Sequence, residues 1–190
     1  MLKDSKVVTN IRKHIHLERA DIEYLETIFS FKIIKKKETL FNQGHLCKEL
    51  YFVEKGSIRA FNLTEQGKRS TMMFAIDDWW ITDIYCFLNQ KSAYLTLEAL
   101  EDTKVAVLNY TSFELLLNEL PKFNRFFRIL FQNAYAREQM RVLESISLST
   151  EDRFTRFLHN YPQIVEKLTQ KEIASYLGVT PEFLSSVKKK

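Results

Sequence analysis

The side chains best placed to do chemistry lie in the last stretch of the chain, LTQKEIASYLGVTPEFLSSVKKK from Leu168 to Lys190. Thr169 is set to cap a helix on which Ile173, Ala174 and Leu177 share one apolar face, and Gly178 then supplies a sharp turn that Val179 plugs. Thr180 caps a second helix with Pro181 in its first position, where a missing N–H costs nothing, and Phe183, Leu184 and Val187 are expected to face inward. The outward face is polar and basic. Glu182, Ser185, Ser186 and Lys189 could reach base edges or phosphates from a major groove, while Thr169, Gln170 and Lys171 open the first helix, where backbone N–H groups and a cation grip a phosphate. The bland alternative is an αα-hairpin inside a non-binding bundle. Cap, alanine, glycine and second cap at these intervals, followed by a basic end, favour a helix-turn-helix and double-stranded DNA as partner.

Other chemistries lack their residues. Cys47 and Cys86 show neither CxxC spacing nor a nearby His pair, so no metal or iron–sulfur site is expected and both read as core thiols. His14, His16, His45 and His159 form no axial or facial set, and no Ser-His-Asp group can be placed, so no cofactor and no catalysis are expected.

Charge is distributed to suit the same reading. Residues 1–120 carry 16 basic and 17 acidic side chains, whereas residues 121–190 carry 12 and 7, so the net charge of +4 belongs to the C-terminal part. A basic module leans on phosphates by releasing counterions. No apolar run approaches the roughly 20 residues of a membrane span, and the N-terminus has no signal-like apolar core, so no membrane partner and a cytoplasmic location are expected.

The elements that must hold these residues follow from period. With 190 residues, 45% of them hydrophobic, 15 Phe and only four Gly and three Pro, the chain can bury a core and join its elements by short loops. Residues 18–30 place Ile22, Leu25, Ile28 and Phe29 at helical spacing. From Lys32 to Leu108 the chain runs in short alternating stretches such as ELYFVEKG, SIRAFNL and KVAVLNY, broken by NQG, EKGS, TEQGK and LEDT, which suggests a sandwich or barrel. Phe74, Trp79, Trp80 and Tyr85 read most simply as aromatics closing that barrel. Helical period returns after Tyr110, with Thr111 expected as N-cap and Glu114 completing a capping box.

Pro121 begins the longest element, residues 121–147, about 40 Å of helix without internal Gly or Pro. Phe126, Ile129, Asn133, Ala136, Met140 and Leu143 recur on it at alternating steps of three and four, the spacing of a two-stranded seam, so a homodimer is expected. Packing entirely within one chain is the alternative. Ser149 and Thr150, with Glu151 and Asp152, open the next helix, which ends before Pro162. The fold class is therefore α+β: a sensor barrel in 1–120, a dimerisation helix in 121–147 and a DNA-binding domain in 148–190.

Taken together, Gly44 followed by LYFVEKGSIRAF (Leu50 to Phe61), the turn TEQGK and the stretch QKEIASYLGVTPEFLS resemble the Crp/Fnr family of bacterial transcription regulators. The resemblance implies a double-stranded β-helix (jelly-roll) barrel related to cyclic-nucleotide-binding domains, dimerisation through the long helix, contact with RNA polymerase, and two recognition helices in successive major grooves about 34 Å apart. Members that bind cyclic AMP carry Gly-Glu followed by Arg-Ser-Ala. The matching residues here are Thr82 and Asp83, then Lys91, Ser92 and Ala93, with Glu138 and Gln139 at the long-helix positions facing the base.

Threonine adds bulk where backbone must approach a phosphate, and lysine lacks arginine's bidentate fork, so the expected effector is an unknown small molecule other than cyclic AMP, or none. At the recognition helix the family's Arg-Glu-x-x-x-Arg becomes Pro181-Glu182-x-x-x-Ser186, which implies a different target sequence. The chain ends at Lys190 without a wing, from which weaker and less salt-steep DNA binding is expected. The rival reading is a small-molecule binding module that acts through protein partners.

Overall fold

The computed structural model describes residues 2–188, with side chains described to Ser186. Eight strands form two four-stranded antiparallel sheets. The first contains β1 (Phe29–Ile34), β8 (Thr103–Asn109), β3 (Glu49–Lys55) and β6 (Trp80–Ile81) in that order, and the second β2 (Thr39–Phe41), β7 (Thr96–Ala99), β4 (Ser57–Leu63) and β5 (Arg69–Ile76). They face each other as a jelly roll rather than as one closed barrel. Tyr51, Val53, Ile58, Ala60, Leu97 and Val105 fill the space between them.

Burial explains where simple alternation fails. β3 is buried at five consecutive positions because its second face, with Leu50 and Phe52, packs under helices while Tyr51 and Val53 face the other sheet. Those covering helices are α1 (Lys6–Arg12), α2 (Arg19–Ile28), α4 (Tyr110–Glu119) and the start of α5 (Lys122–Ser147). The seven residues of α1 are too few to show a helical period in the sequence. A distant carboxylate holds it: Glu54, from β3, accepts hydrogen bonds from the Lys6 and Val7 amides at 2.9 and 3.0 Å.

Three expectations are corrected here. Phe29 ends no helix but opens β1, paired with Leu108. Asn109, not Thr111, caps α4, accepting from the Ser112 amide at 2.9 Å. The four aromatics do not close a barrel. Trp80 stands edge-on to Phe52, Phe126 and Phe127 and donates to Asn10 Oδ1, so it joins the first sheet to α1 and α5. Trp79 and Phe74 turn toward the C-terminal helices, and Tyr85, at 51% exposure, lies outside on α3 (Ile84–Asn89).

The C-terminal part comprises α6 (Thr150–Asn160), α7 (Pro162–Val165), α8 (Gln170–Leu177) and α9 (Pro181–Lys188). It is not a separate ball on a linker. Phe154, Phe157, Ile164, Ile173, Ala174, Leu177 and Leu184 form one cluster with Phe74 and Ile76 of β5, so the outer face of the second sheet is part of this core. Gly56, at the β3–β4 turn, has φ +114°, and a Cβ there would meet Thr103 Oγ1 at 2.5 Å, which excludes any other residue without movement of β8.

Candidate nucleic-acid interface and effector crevice

α8 and α9 are built from their caps inward. Thr169 Oγ1 accepts from the Glu172 amide, and Glu172 returns a carboxylate to the Thr169 amide at 2.7 Å, closing a capping box. Ile173, Ala174 and Leu177 of α8 and Leu184 of α9 are buried together. Gly178, at φ +74°, ends α8, and the Val179 amide bonds back to the Ala174 carbonyl at 3.0 Å. Thr180 Oγ1 then caps α9 through the Phe183 amide at 3.2 Å.

The residues expected to read DNA divide into two groups. Thr169, Lys171, Thr180, Glu182 and Ser186 are exposed. Gln170 and Ser185 are half-buried and engaged with each other: Gln170 Nε2 donates to Ser185 Oγ at 2.7 Å and to the Pro181 carbonyl at 3.1 Å. That pair links the start of α8 to α9. Phe183 does not face inward as expected but is half exposed, beside the polar face of α9. Lys189, expected to contact phosphate, and the Val187 side chain lie outside the described residues.

Ion pairs lie under this unit, buried at Arg59 and Glu98 and partly exposed at Arg69, Glu101 and Lys167. On the second sheet Glu98 accepts from Arg59 at 2.6 Å and from Arg69 at 3.1 Å, Arg59 stands 3.8 Å from Glu172 of α8, and the guanidinium groups of Arg59 and Arg69 lie near the Phe61 ring. Glu101 receives Ser57 Oγ at 2.8 Å and Lys167 Nζ at 2.7 Å. Burial pushes the Glu101 carboxyl upward, but these two hydrogen bonds, with the Lys167 charge, outweigh it and hold the group below its ordinary value. Such contacts join residues dozens of positions apart, and neither helical nor strand period signals them.

Of the expected effector residues, Asp83 meets the backbone just after Ala93, and several of the others are engaged within the chain. Thr82 donates to the Glu49 carbonyl at 2.8 Å and touches Cys47 Sγ, and Asp83 caps α3 while accepting from the Tyr94 and Leu95 amides at 2.8 and 3.1 Å. The Ala93 amide is taken by the His45 carbonyl, Ser92 is exposed, and Lys91 leans outward over Tyr85, donating to its hydroxyl. Glu138 pairs with Arg141 at 2.8 Å, and Gln139 is exposed. Thr82 opens on a crevice of about 250 Å³ between the first sheet and α5, shared with Leu50, Trp80, Leu130, Phe131 and Arg137. That crevice does not take in Asp83, Lys91, Ser92, Ala93, Glu138 or Gln139. Cys47 and Cys86 are buried free thiols, both pushed upward by burial.

On α5 the expected seam is corrected at one end. Phe126 is fully buried against His14, Trp80 and Phe127 within the chain. Ile129 is half-buried, and Asn133, Ala136, Met140 and Leu143 are exposed, flanked by exposed Tyr135, Val142 and Ile146. Among the described residues no cluster of His, Cys, Asp and Glu could hold a metal, and no helix is long and apolar enough to cross a membrane.

Residues 31–119 match the family model of the cyclic nucleotide-binding domain. The regulatory protein HlyX of Actinobacillus pleuropneumoniae is 21% identical over 97% of this chain and 87% of its own length. The fumarate and nitrate reduction regulatory protein of Vibrio cholerae is 24% identical over 89% of this chain and 72% of its own. In fold the chain is similar to FixK2 from Bradyrhizobium japonicum, with a TM-score of 0.75 at 18% identity over 85% of this chain and 83% of that one.

Proposed function

We propose that this chain is a transcription regulator of the Crp/Fnr family and acts as a homodimer that reads a near-palindromic operator with two copies of α9. The observation that carries the reading is the α8–Gly178–α9 unit, capped at Thr169 and Thr180, with Lys171, Glu182 and Ser186 left exposed. Residues 1–120 serve as the sensor domain, 121–147 as the dimerisation helix and 148–190 as the DNA-binding domain. Double-stranded DNA and RNA polymerase are its partners.

Dimerisation is supported by the exposed stripe from Ile129 through Asn133, Ala136, Met140 and Leu143, since five large apolar side chains between Tyr135 and Ile146 stand in water in the single chain. Cyclic AMP is not the effector on this reading. A cyclic phosphate needs free backbone N–H groups and an inward cation, whereas Asp83 already satisfies the Tyr94 and Leu95 amides and Lys91 leans away.

Gel retardation against genomic fragments at low salt, run beside sedimentation equilibrium, tests the proposal. Sequence-selective retardation by a particle of twice the chain mass is the expected result. A monomer that retards no fragment would end the regulator reading.

A further inference from the structure

A second cavity, of about 190 Å³, lies where α5 meets α6 and α8, and shares Arg137 with the crevice of Thr82. Three guanidinium groups line it, Arg137 and Arg141 from α5 and Arg153 from α6; Arg141 is paired with Glu138 at 2.8 Å, and the one carboxylate on the wall, Glu144, is paired with Arg156 at 2.9 Å. Arg137 has no carboxylate within 4.0 Å among the described residues and rests over the Trp79 ring at 4.9 Å. Arg153 donates through its terminal nitrogens to the Leu177 carbonyl and to Thr150, but its Nε, though buried, has no partner. Nε is closed to solvent, so the terminal nitrogens, which also face Leu177 and Thr150, are the donors a ligand in the cavity would share.

The walls between these cations are aromatic. Phe157, Tyr161 and Tyr176 line the cavity, and burial pushes the Tyr176 phenol up to about 12, so at neutral pH it remains a neutral hydroxyl donor. The volume falls below the roughly 300 Å³ at which drug-sized ligands begin, so the occupant is small.

We propose that this cavity binds a small phosphate monoester with a planar body, the phosphate between Arg137, Arg141 and Arg153 and the body against Tyr176 and Phe157. Two or three guanidinium groups suit a dianion because each presents paired donors to its oxygens. A ligand there ties α5 to α6 and α8 and so fixes the helix-turn-helix on the long helix. That consequence rests on the DNA-reading function proposed above, whereas the binding itself does not.

The probe is phenyl phosphate, titrated against the full chain by calorimetry and thermal shift, with phenol as the neutral analogue and sodium chloride matching ionic strength. Saturable binding of phenyl phosphate, none of phenol, and at least about a tenfold weakening in Arg137→Gln, the loss of one charge-assisted contact, are expected. Arg137 has no ion pair to lose, so its substitution should leave circular dichroism unchanged. Arg153→Lys keeps the charge but loses the fork, and should weaken binding too. No heat and no shift with phenyl phosphate, or equal affinity in Arg137→Gln, would overturn the site. Gel retardation without ligand separates the two proposals: DNA binding retained with no ligand binding rejects only the cavity, and ligand binding without DNA retardation rejects only the reader.

Discussion

The Ser175 hydroxyl of α8 accepts a hydrogen bond from the Thr71 amide at 2.9 Å and donates one to the Arg69 carbonyl at 2.7 Å. β5 is an edge strand, with one row of backbone groups open, and a single serine on the first helix of the reading unit satisfies a donor and an acceptor of that row. The position of α8 and α9 is thus tied to the backbone of the second sheet.

Ser175→Ala removes both bonds, and with them the one that Ser175 Oγ accepts from the Thr71 hydroxyl at 3.0 Å, and leaves the amide of buried Thr71 unpaired. A loss of about 1–3 kcal/mol in urea unfolding is expected. Proteolysis between the second sheet and α8 should quicken in parallel. Unchanged stability and unchanged cleavage would mean that the contact carries no weight.

Glu98 is the hub of the buried charges on the second sheet, facing Arg59 at 2.6 Å and Arg69 at 3.1 Å, and side-chain exposure of Arg59 and Glu98 is 8% and 11%. Removing it strands the Arg59 guanidinium, whose Nε already lacks a partner, so Glu98→Ala should cost about 3–5 kcal/mol. Replacing the buried pair together by Arg59→Met and Glu98→Leu should recover much of that loss. A double variant no better than Glu98→Ala would show that packing, not the stranded charge, sets the cost.

The Lys167–Glu101 contact gives the linkage to pH. Glu101 is held below its ordinary value of 4.5 in the folded chain, despite the upward push of burial, so its contribution is complete above 4.5 and is lost as pH falls through the lower folded value. Both side chains are partly exposed, and solvent screening keeps the effect small. Urea midpoints of the native chain and of Glu101→Gln should therefore differ most at neutral pH and converge in acid. A gap that widens on acidification would reverse the sign and remove Glu101 from this role.

What the sequence made legible was local. Thr169, Gly178 and Thr180 declare the two helices because a cap and a turn are decided within a few residues, and the 26-residue α5 declares itself by length. α1 did not, since Glu54, 47 positions from Val7, supplies its cap. Phe126 fits the seam spacing as well as Ile129 does, yet belongs to the core beneath Trp80, because periodicity gives a face but not which neighbour covers it. The effector residues were placed by aligned position alone. Position could not say that the Asp83 carboxylate would take the Tyr94 and Leu95 amides.

If α8 and α9 read DNA as proposed, two exposed side chains should separate affinity from specificity. Lys171, at the start of α8, has a compact charge suited to phosphate, which every sequence presents alike, so Lys171→Ala should weaken all fragments by a similar factor and reduce the log-log salt slope by about 0.9. Glu182, on the first turn of α9, is an acceptor-only group that pairs with the cytosine amino group in the major groove. Glu182→Ala should leave the slope unchanged and relax discrimination at one position of each half-site, by about 1–3 kcal/mol. Fluorescence anisotropy over a salt series, with the best fragment and its single-base variants, reads both effects at once. If Glu182→Ala altered the slope while sequence preference stayed intact, α9 would be lying along the backbone and not in the groove.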